Sequence, residues 1–289
     1  MTFDAVVFDV DGVLVDTDRS YTEAVIRTVQ HFLVREAGLR DDGPAIDRAT
    51  VRAFRRGGSW NNDWDLAYGL LAWLVAAPGG STRELARRAE PAERAARRTR
   101  DELARAAGPA LRWSWEEVRG VFEELYNGSA VAAERYGVAP RLHLARGLAA
   151  DETVLLERRG LEDLAALGIT KIGVVTGRTA ADFAQVRPRL PFSEALAVVT
   201  EDDGRKPDPA LLAQVMTALD AHAALAVGDT LDDLRMAQRY AGTALGRERP
   251  VTPVILCGPD EVDAYRAAGA RHFIRRVAEL PALARTLAT

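Results

Sequence analysis

From residue 161 onward, short apolar runs alternate with amphipathic stretches, and this alternation restricts the chain more than any other feature. Leu161, Leu164 and Leu167 form a helical face closed by Gly168. Residues 172–175 read as a strand, followed by a helix from about Thr179. Residues 196–199 are the next strand, and Asp208 then caps a helix that has Pro209 at its first position. That helix gathers Leu211, Leu212, Val215, Met216 and Leu219 on one face. Strand 224–227, a helix through about Tyr240 stopped by Gly242, strand 253–256, a helix from Asp260, strand 272–274 and a helix from Pro281 complete the series. The strands are apolar at consecutive positions, so both of their faces must be buried. That requirement predicts a parallel sheet with helices on both sides.

One strand stands apart. Residues 3–10, FDAVVFDV, read as a short buried strand ended by Asp11-Gly12, and no comparable strand follows until Lys171. The intervening chain is rich in Ala, Arg, Glu and Leu, with Tyr21, Val25, Val29 and Phe32 at helical spacing. The expected fold class is therefore α/β: a Rossmann-like parallel sheet with helices on both faces, plus a mainly α-helical cap domain. Residues 1–16 and 151–289 would form the core and residues 17–150 the cap, lying over the carboxyl edge where open α/β sheets bind ligands. With 289 residues, 48% of them apolar, the chain is large enough for both parts.

Charge and composition narrow the function. A net charge of −4 argues against a nucleic-acid binder. The longest apolar run, residues 66–77, falls short of the ~20 residues that span a bilayer. Met1-Thr2-Phe3-Asp4 has no basic leader, and the lone Cys257 allows no internal disulfide, so a cytoplasmic protein without membrane contact is expected. Of 38 basic residues only Lys171 and Lys206 are lysine. A lysine kept against such a bias points to a need for a compact charge, which the planar guanidinium does not copy. The surroundings of Lys206 favour that reading, whereas those of Lys171 do not.

Four segments lie just past four of the strands. In Asp9-Val10-Asp11-Gly12, two acids at i and i+2 of extended backbone point the same way and call for a cation, although two solvated turn acids would look alike. In Thr176-Gly177-Arg178, a hydroxyl and free amides at a strand–helix junction suit an anionic oxygen, although Thr-Gly is also an ordinary turn. Lys206 precedes a helix start, where its ammonium can reach a phosphate. In Gly228-Asp229-Thr230-Leu231-Asp232-Asp233, Asp229 and Asp233 share a face if a helix begins there, and Asp232 points elsewhere.

Together DVDGVL at 9–14, VVTGR at 174–178, KPDP at 206–209 and GDTLDD at 228–233 resemble the motif set of the haloacid dehalogenase-like superfamily, with the helical insert after the first motif. The resemblance implies a phosphatase that hydrolyses a small phosphorylated metabolite through a phosphoaspartyl intermediate, with Mg²⁺ as cofactor. Asp9 is implied as nucleophile, Asp11 as general acid and then base, and Thr176, Gly177, Arg178 and Lys206 as phosphate-binding groups. The Asp9 carboxylate, the Asp11 main-chain carbonyl and Asp229 would hold Mg²⁺, with Asp233 supporting its waters. Dehalogenase relatives lack the second aspartate, present here as Asp11, and phosphonate-cleaving relatives need a cap lysine, absent before Lys171. A sugar-phosphate phosphomutase needs the same residues as a phosphatase. A non-catalytic binding protein on the same fold is the alternative from another class. A dinucleotide-binding protein is disfavoured because no G-x-G-x-x-G follows the first strand.

In the insert, Arg55, Arg56, Asn61, Asn62 and Asp63 sit among two glycines and Trp60 and Trp64. Asn61, Asn62 and Asp63 are candidates for a substrate hydroxyl or amine and Arg55 and Arg56 for the phosphate. The other reading is a loop entering the following helix, with Asp63 or Asp65 near its N-cap. The NNDWDL string is similar to one in a branch of the superfamily for which a histidinol phosphate-like activity is one suggestion. Residues 83–105, with eight arginines against five acids, read as a solvated helical hairpin laced with ion pairs. His31, His143, His222 and His272 show no metal-ligand spacing.

Overall fold

The computed structural model describes residues 2–17, 19–57, 60, 62–192 and 196–288. The eight strands are β1 (Ala5–Phe8), β2 (Val15–Asp16), β3 (Thr153–Val154), β4 (Lys171–Val175), β5 (Leu196–Val199), β6 (Ala224–Gly228), β7 (Val251–Leu256) and β8 (His272–Ile274). Six form one parallel sheet in the order β5-β4-β1-β6-β7-β8, while β2 and β3 make a separate antiparallel pair. The chain divides into two compact units, residues 1–16 with 153–289, and residues 17–152.

In the sheet unit the expected alternation holds. Val6 and Phe8 of β1 face one way, with Leu225 and Val227 of β6, and pack with Leu164, Phe183, Val186 and Leu280 from the helices Arg158–Ala165, Ala180–Val186 and Leu280–Ala288. Ala5 and Val7 face the other way and pack with Leu212, Val215, Met216, Ala237 and Tyr240 from the helices Pro209–Ala218 and Leu231–Ala241. Burial on both faces is why these strands read as continuous apolar runs. Pro253 is tolerated inside β7 because pairing with β8 begins only at Val254. β1 is shorter than the run 3–10 suggests, since the chain turns away from the sheet after the Asp9 amide bonds to Val227 O. The β2–β3 pair is too short to leave any periodicity in the sequence.

Among the described residues the second unit is built mainly of α-helices: Tyr21–His31, Arg48–Arg56, Asp63–Val75, Thr82–Arg88, Ala92–Ala95, Arg100–Ala107, Trp115–Asn127 and Ser129–Tyr136. At the end of the first helix the Ala37 N–H reaches back to Phe32 O, which widens its last turn. Asp63–Val75 is the buried centre, with Leu66, Leu70, Leu71 and Leu74 fully enclosed. This is the long apolar run of the sequence, and among the described residues no helix is long and apolar enough to cross a membrane. The arginine-rich stretch is three short helices rather than a hairpin. Several of its arginines pair with acids, among them Arg88 with Glu84, Arg98 with Glu90 and Arg100 with Asp65.

Candidate active site

β1 lies where the strand order reverses, with β4 and β5 added on one side and β6 to β8 on the other. Such a switch point opens a crevice at the carboxyl ends of the strands. Asp9 stands at that end of β1, its amide donating to Val227 O at 2.8 Å. The carboxylate is 7% exposed, and its Oδ1 accepts from the Val10 amide and from Lys206 Nζ, both at 2.7 Å. The next residues are a turn rather than extended strand, with the amides of Leu14 and Val15 returning to Val10 O. Gly12 closes the turn at φ +74°, and a Cβ there would lie 2.0 Å from Asp229 Oδ2. Glycine is therefore required twice, for the left-handed backbone and for the approach of Asp229.

Asp229 follows β6 directly, and its carbonyl accepts from Tyr265 OH at 2.5 Å. The helix begins only at Leu231, with Thr230 as N-cap, so Asp229 and Asp233 do not share one helical face. Asp233 meets the site from the third helical position of a capping box: its Oδ2 accepts from Thr230 N and Oγ1, and its Oδ1 holds Lys206 Nζ at 2.7 Å. Gly228 makes room for it, since a Cβ there would fall 2.3 Å from Asp233 Cβ. Lys206, 12% exposed, thus bridges carboxylates from two elements.

Burial pushes the Asp9 carboxyl up to about 7, with Asp233 and Asp11 adding to the rise and Lys206 opposing it. Burial works against the Lys206 charge, but Asp233 and Asp9 more than compensate and raise its pKa above that of an ordinary lysine. Carboxylate oxygens of Asp9, Asp229 and Asp233 lie within 4.8 Å of one another. Three carboxylates against one ammonium leave excess negative charge, and an all-oxygen donor set suits a hard divalent cation such as Mg²⁺.

On the other side of β1, Thr176 follows β4, buried, with its amide on Val199 O at 3.0 Å and its Oγ1 accepting from Arg178 N at 3.1 Å. Gly177 is open, since a Cβ there meets nothing within 4 Å. Arg178 directs Nε and Nη2 onto Asp11 Oδ1 at 2.9 and 2.7 Å.

Three of the candidates from the helical unit, Arg55, Asn62 and Asp63, have partners within it. Arg55 pairs with Asp63 at 2.6 Å. Asn62, rather than Asp63 or Asp65, is the N-cap of Asp63–Val75, its Oδ1 accepting from Trp64 N and Asp65 N at 3.0 Å. Arg56 is exposed, and Asn61 lies outside the described residues. Trp60 is buried and donates to Ala96 O, while Trp64 meets Trp115 edge to face beneath the guanidinium of Arg119.

The structure thus brings Asp9, Lys206, Asp229 and Asp233 together, and joins Asp11 to Arg178 and Arg178 to Thr176. Thr230 does have a sequence signal, since T-x-x-D before an apolar run is a capping-box pattern. Nothing in the sequence marks Tyr265, which reaches Asp229 from a separate helix.

The family model of haloacid dehalogenase-like hydrolases matches residues 3–240, and the chain belongs to that family. It is 27% identical over 252 residues to an imidazoleglycerol-phosphate dehydratase of Phytophthora nicotianae. That match covers 86% of this chain and 44% of the relative, so the chain spans less than half the length of that protein. Its structure is similar to that of phosphatase Tt82 from Thermococcus thioreducens, with a TM-score of 0.61 and 25% identity over 92% of this chain and 99% of that one.

Proposed function

We propose that this hydrolase is a magnesium-dependent phosphatase that cleaves a small phosphomonoester through a phosphoaspartyl intermediate on Asp9. The observation that carries the reading is the Asp9 carboxylate, buried at the switch point, 2.7 Å from the Lys206 ammonium and beside Asp229 and Asp233.

A phosphomonoester dianion repels an attacking carboxylate. Lys206 offsets that repulsion and fixes the Asp9 oxygen, while the Thr176 hydroxyl and the Gly177 amide receive phosphoryl oxygens. Asp9 attacks phosphorus, an Asp9 O–P bond forms, the P–O bond to the substrate alcohol breaks, and Asp11 gives its proton to the departing oxygen. Water then attacks the phosphoaspartyl phosphorus, gives a proton back to Asp11 and releases phosphate and free Asp9. Held by Asp9, Asp229 and the Asp11 carbonyl with Asp233 beside it, Mg²⁺ would supply charge stabilisation to the phosphoryl group. Acid–base help is worth about 10²–10⁴, a small part of the ~10²¹ that monoester hydrolysis can demand, so positioning and charge must carry most of the rate.

The test is p-nitrophenyl phosphate hydrolysis with and without Mg²⁺, followed by a panel of imidazole-bearing, sugar and phosphoglycolate-like monoesters. The imidazole-bearing members are included because the curated relative is named for such a phosphate. Turnover is expected only with Mg²⁺, and Asp9→Asn should abolish it. Near-normal activity of Asp9→Asn would reject the nucleophile.

A further inference from the structure

The contact between Arg178 and Asp11 fits poorly with a phosphate-binding arginine. Only 2% of the Arg178 side chain is exposed, against 30% of Asp11, and both Nε and Nη2 converge on the single oxygen Oδ1. The backbone of Arg178 is fixed at both ends, its amide by Thr176 Oγ1 and its carbonyl by the Glu201 amide at 2.9 Å. Asp11 itself sits in the tight turn after β1, where a short side chain has more than one rotamer open to it. Asp11 Oδ2 accepts no hydrogen bond from any described residue, so one oxygen is held and the other is left for chemistry.

We infer that Arg178 is a positioning residue for Asp11 and not a clamp on the substrate phosphate. The inference rests on the phosphatase reading above. A fork of two charge-assisted hydrogen bonds on one oxygen restrains the carboxylate in both direction and rotation, which the single ammonium of a lysine does not do. Displacing a reacting group by ~1 Å can lower a rate by ~10²-fold. The effect should fall on the step that Asp11 performs, the transfer of a proton to the leaving oxygen.

The experiment compares full-length wild type with Arg178→Met on two substrates in single turnover. A p-nitrophenolate leaves without a proton, whereas the alkoxide of glycerol 2-phosphate needs one. Alcohol release from the alkyl ester should fall by ~10²-fold in the variant, and release from the aryl ester by less than ~10-fold. Half-saturating concentrations should not change, and Arg178→Lys should recover part of the loss; if the Met variant does not fold, the Lys variant carries the same comparison. Equal weakening of binding for both esters with rates kept would place Arg178 on the phosphate. An equal rate loss on both would make it a general support. Either result overturns the inference. A crystal structure of the variant gives a readout without turnover: the Asp11 side chain should lose its single orientation, and an unmoved Asp11 rejects the inference. An inactive wild type with a freed Asp11 in the variant would instead reject the phosphatase reading and leave the positioning contact supported.

Discussion

Lys206 shows why one residue type persists at a site in a chain that otherwise uses arginine. Its single nitrogen lies 2.7 Å from both Asp9 Oδ1 and Asp233 Oδ1, a bridge that suits a compact ammonium. Lys171, for which the sequence suggested no need, also has an architectural place, pairing with Asp4 at 2.9 Å and donating to Asp220 O. Removing the Lys206 charge leaves two buried carboxylates without their counter-ion, a change that typically costs about 3–5 kcal/mol. We expect Lys206→Met, unfolded by urea in EDTA, to lose about that much at pH 8. The Asp9 carboxyl stands at about 7 even with Lys206 holding it down, so in the variant it is pushed higher still, and as pH falls it takes up a proton and the repulsion fades. The deficit should therefore shrink at pH 5. A deficit that grows on acidification would contradict the charge assignment.

Among the elements, the helix Asp63–Val75 separates propensity from packing. Gly69 lies in its middle, where Gly→Ala normally favours a helix by ~1 kcal/mol. Here a Cβ would sit 2.2 Å from Trp60 Cζ3, and Trp60 is itself buried and hydrogen-bonded to Ala96 O. Overpacking of this kind costs about 1–3 kcal/mol, so Gly69→Ala should destabilise the protein by urea titration, against the propensity scale. A stabilised variant would show that the indole moves freely. Asn62 belongs to the same element. As its N-cap, it should lose about 1 kcal/mol of stability on change to Ala, with KM unchanged. A large rise in KM at unchanged stability would instead support Asn62 as a substrate contact.

Across the whole sheet unit, residues far apart in the chain meet because β1 and β6 are neighbours and end side by side. Asp9 and Asp229 then project from adjacent strand ends, with Gly12 admitting the second acid. A cation that binds the folded site and not the unfolded chain stabilises by about 2.7 kcal/mol at one hundred times its Kd. Excess Mg²⁺ over EDTA should accordingly raise the Tm of the sheet unit by roughly 5–10 °C, and Asp229→Asn should remove most of that rise. A Tm in wild type that does not respond to Mg²⁺ would count against a resident ion.

The alternation of strands and helices, the polar segments at four strand ends and the helical character of the insert were legible in the sequence. Each is a local pattern: a period of 3.6, an apolar run, a capping residue or a short motif. Other features were not legible. The Arg178 fork on Asp11 joins positions 167 apart, and Tyr265 reaches the Asp229 carbonyl from a helix with no spacing relation to it. Nor was it legible that Asn62 caps the helix Asp63–Val75 or that Arg55 pairs with Asp63. Which residue types stand at the strand ends, and in what order, is written in the chain itself. Which of them touch follows from the folded arrangement, because contacts between distant segments depend on strand order and on how closely backbones approach, and neither leaves a periodic trace along the chain.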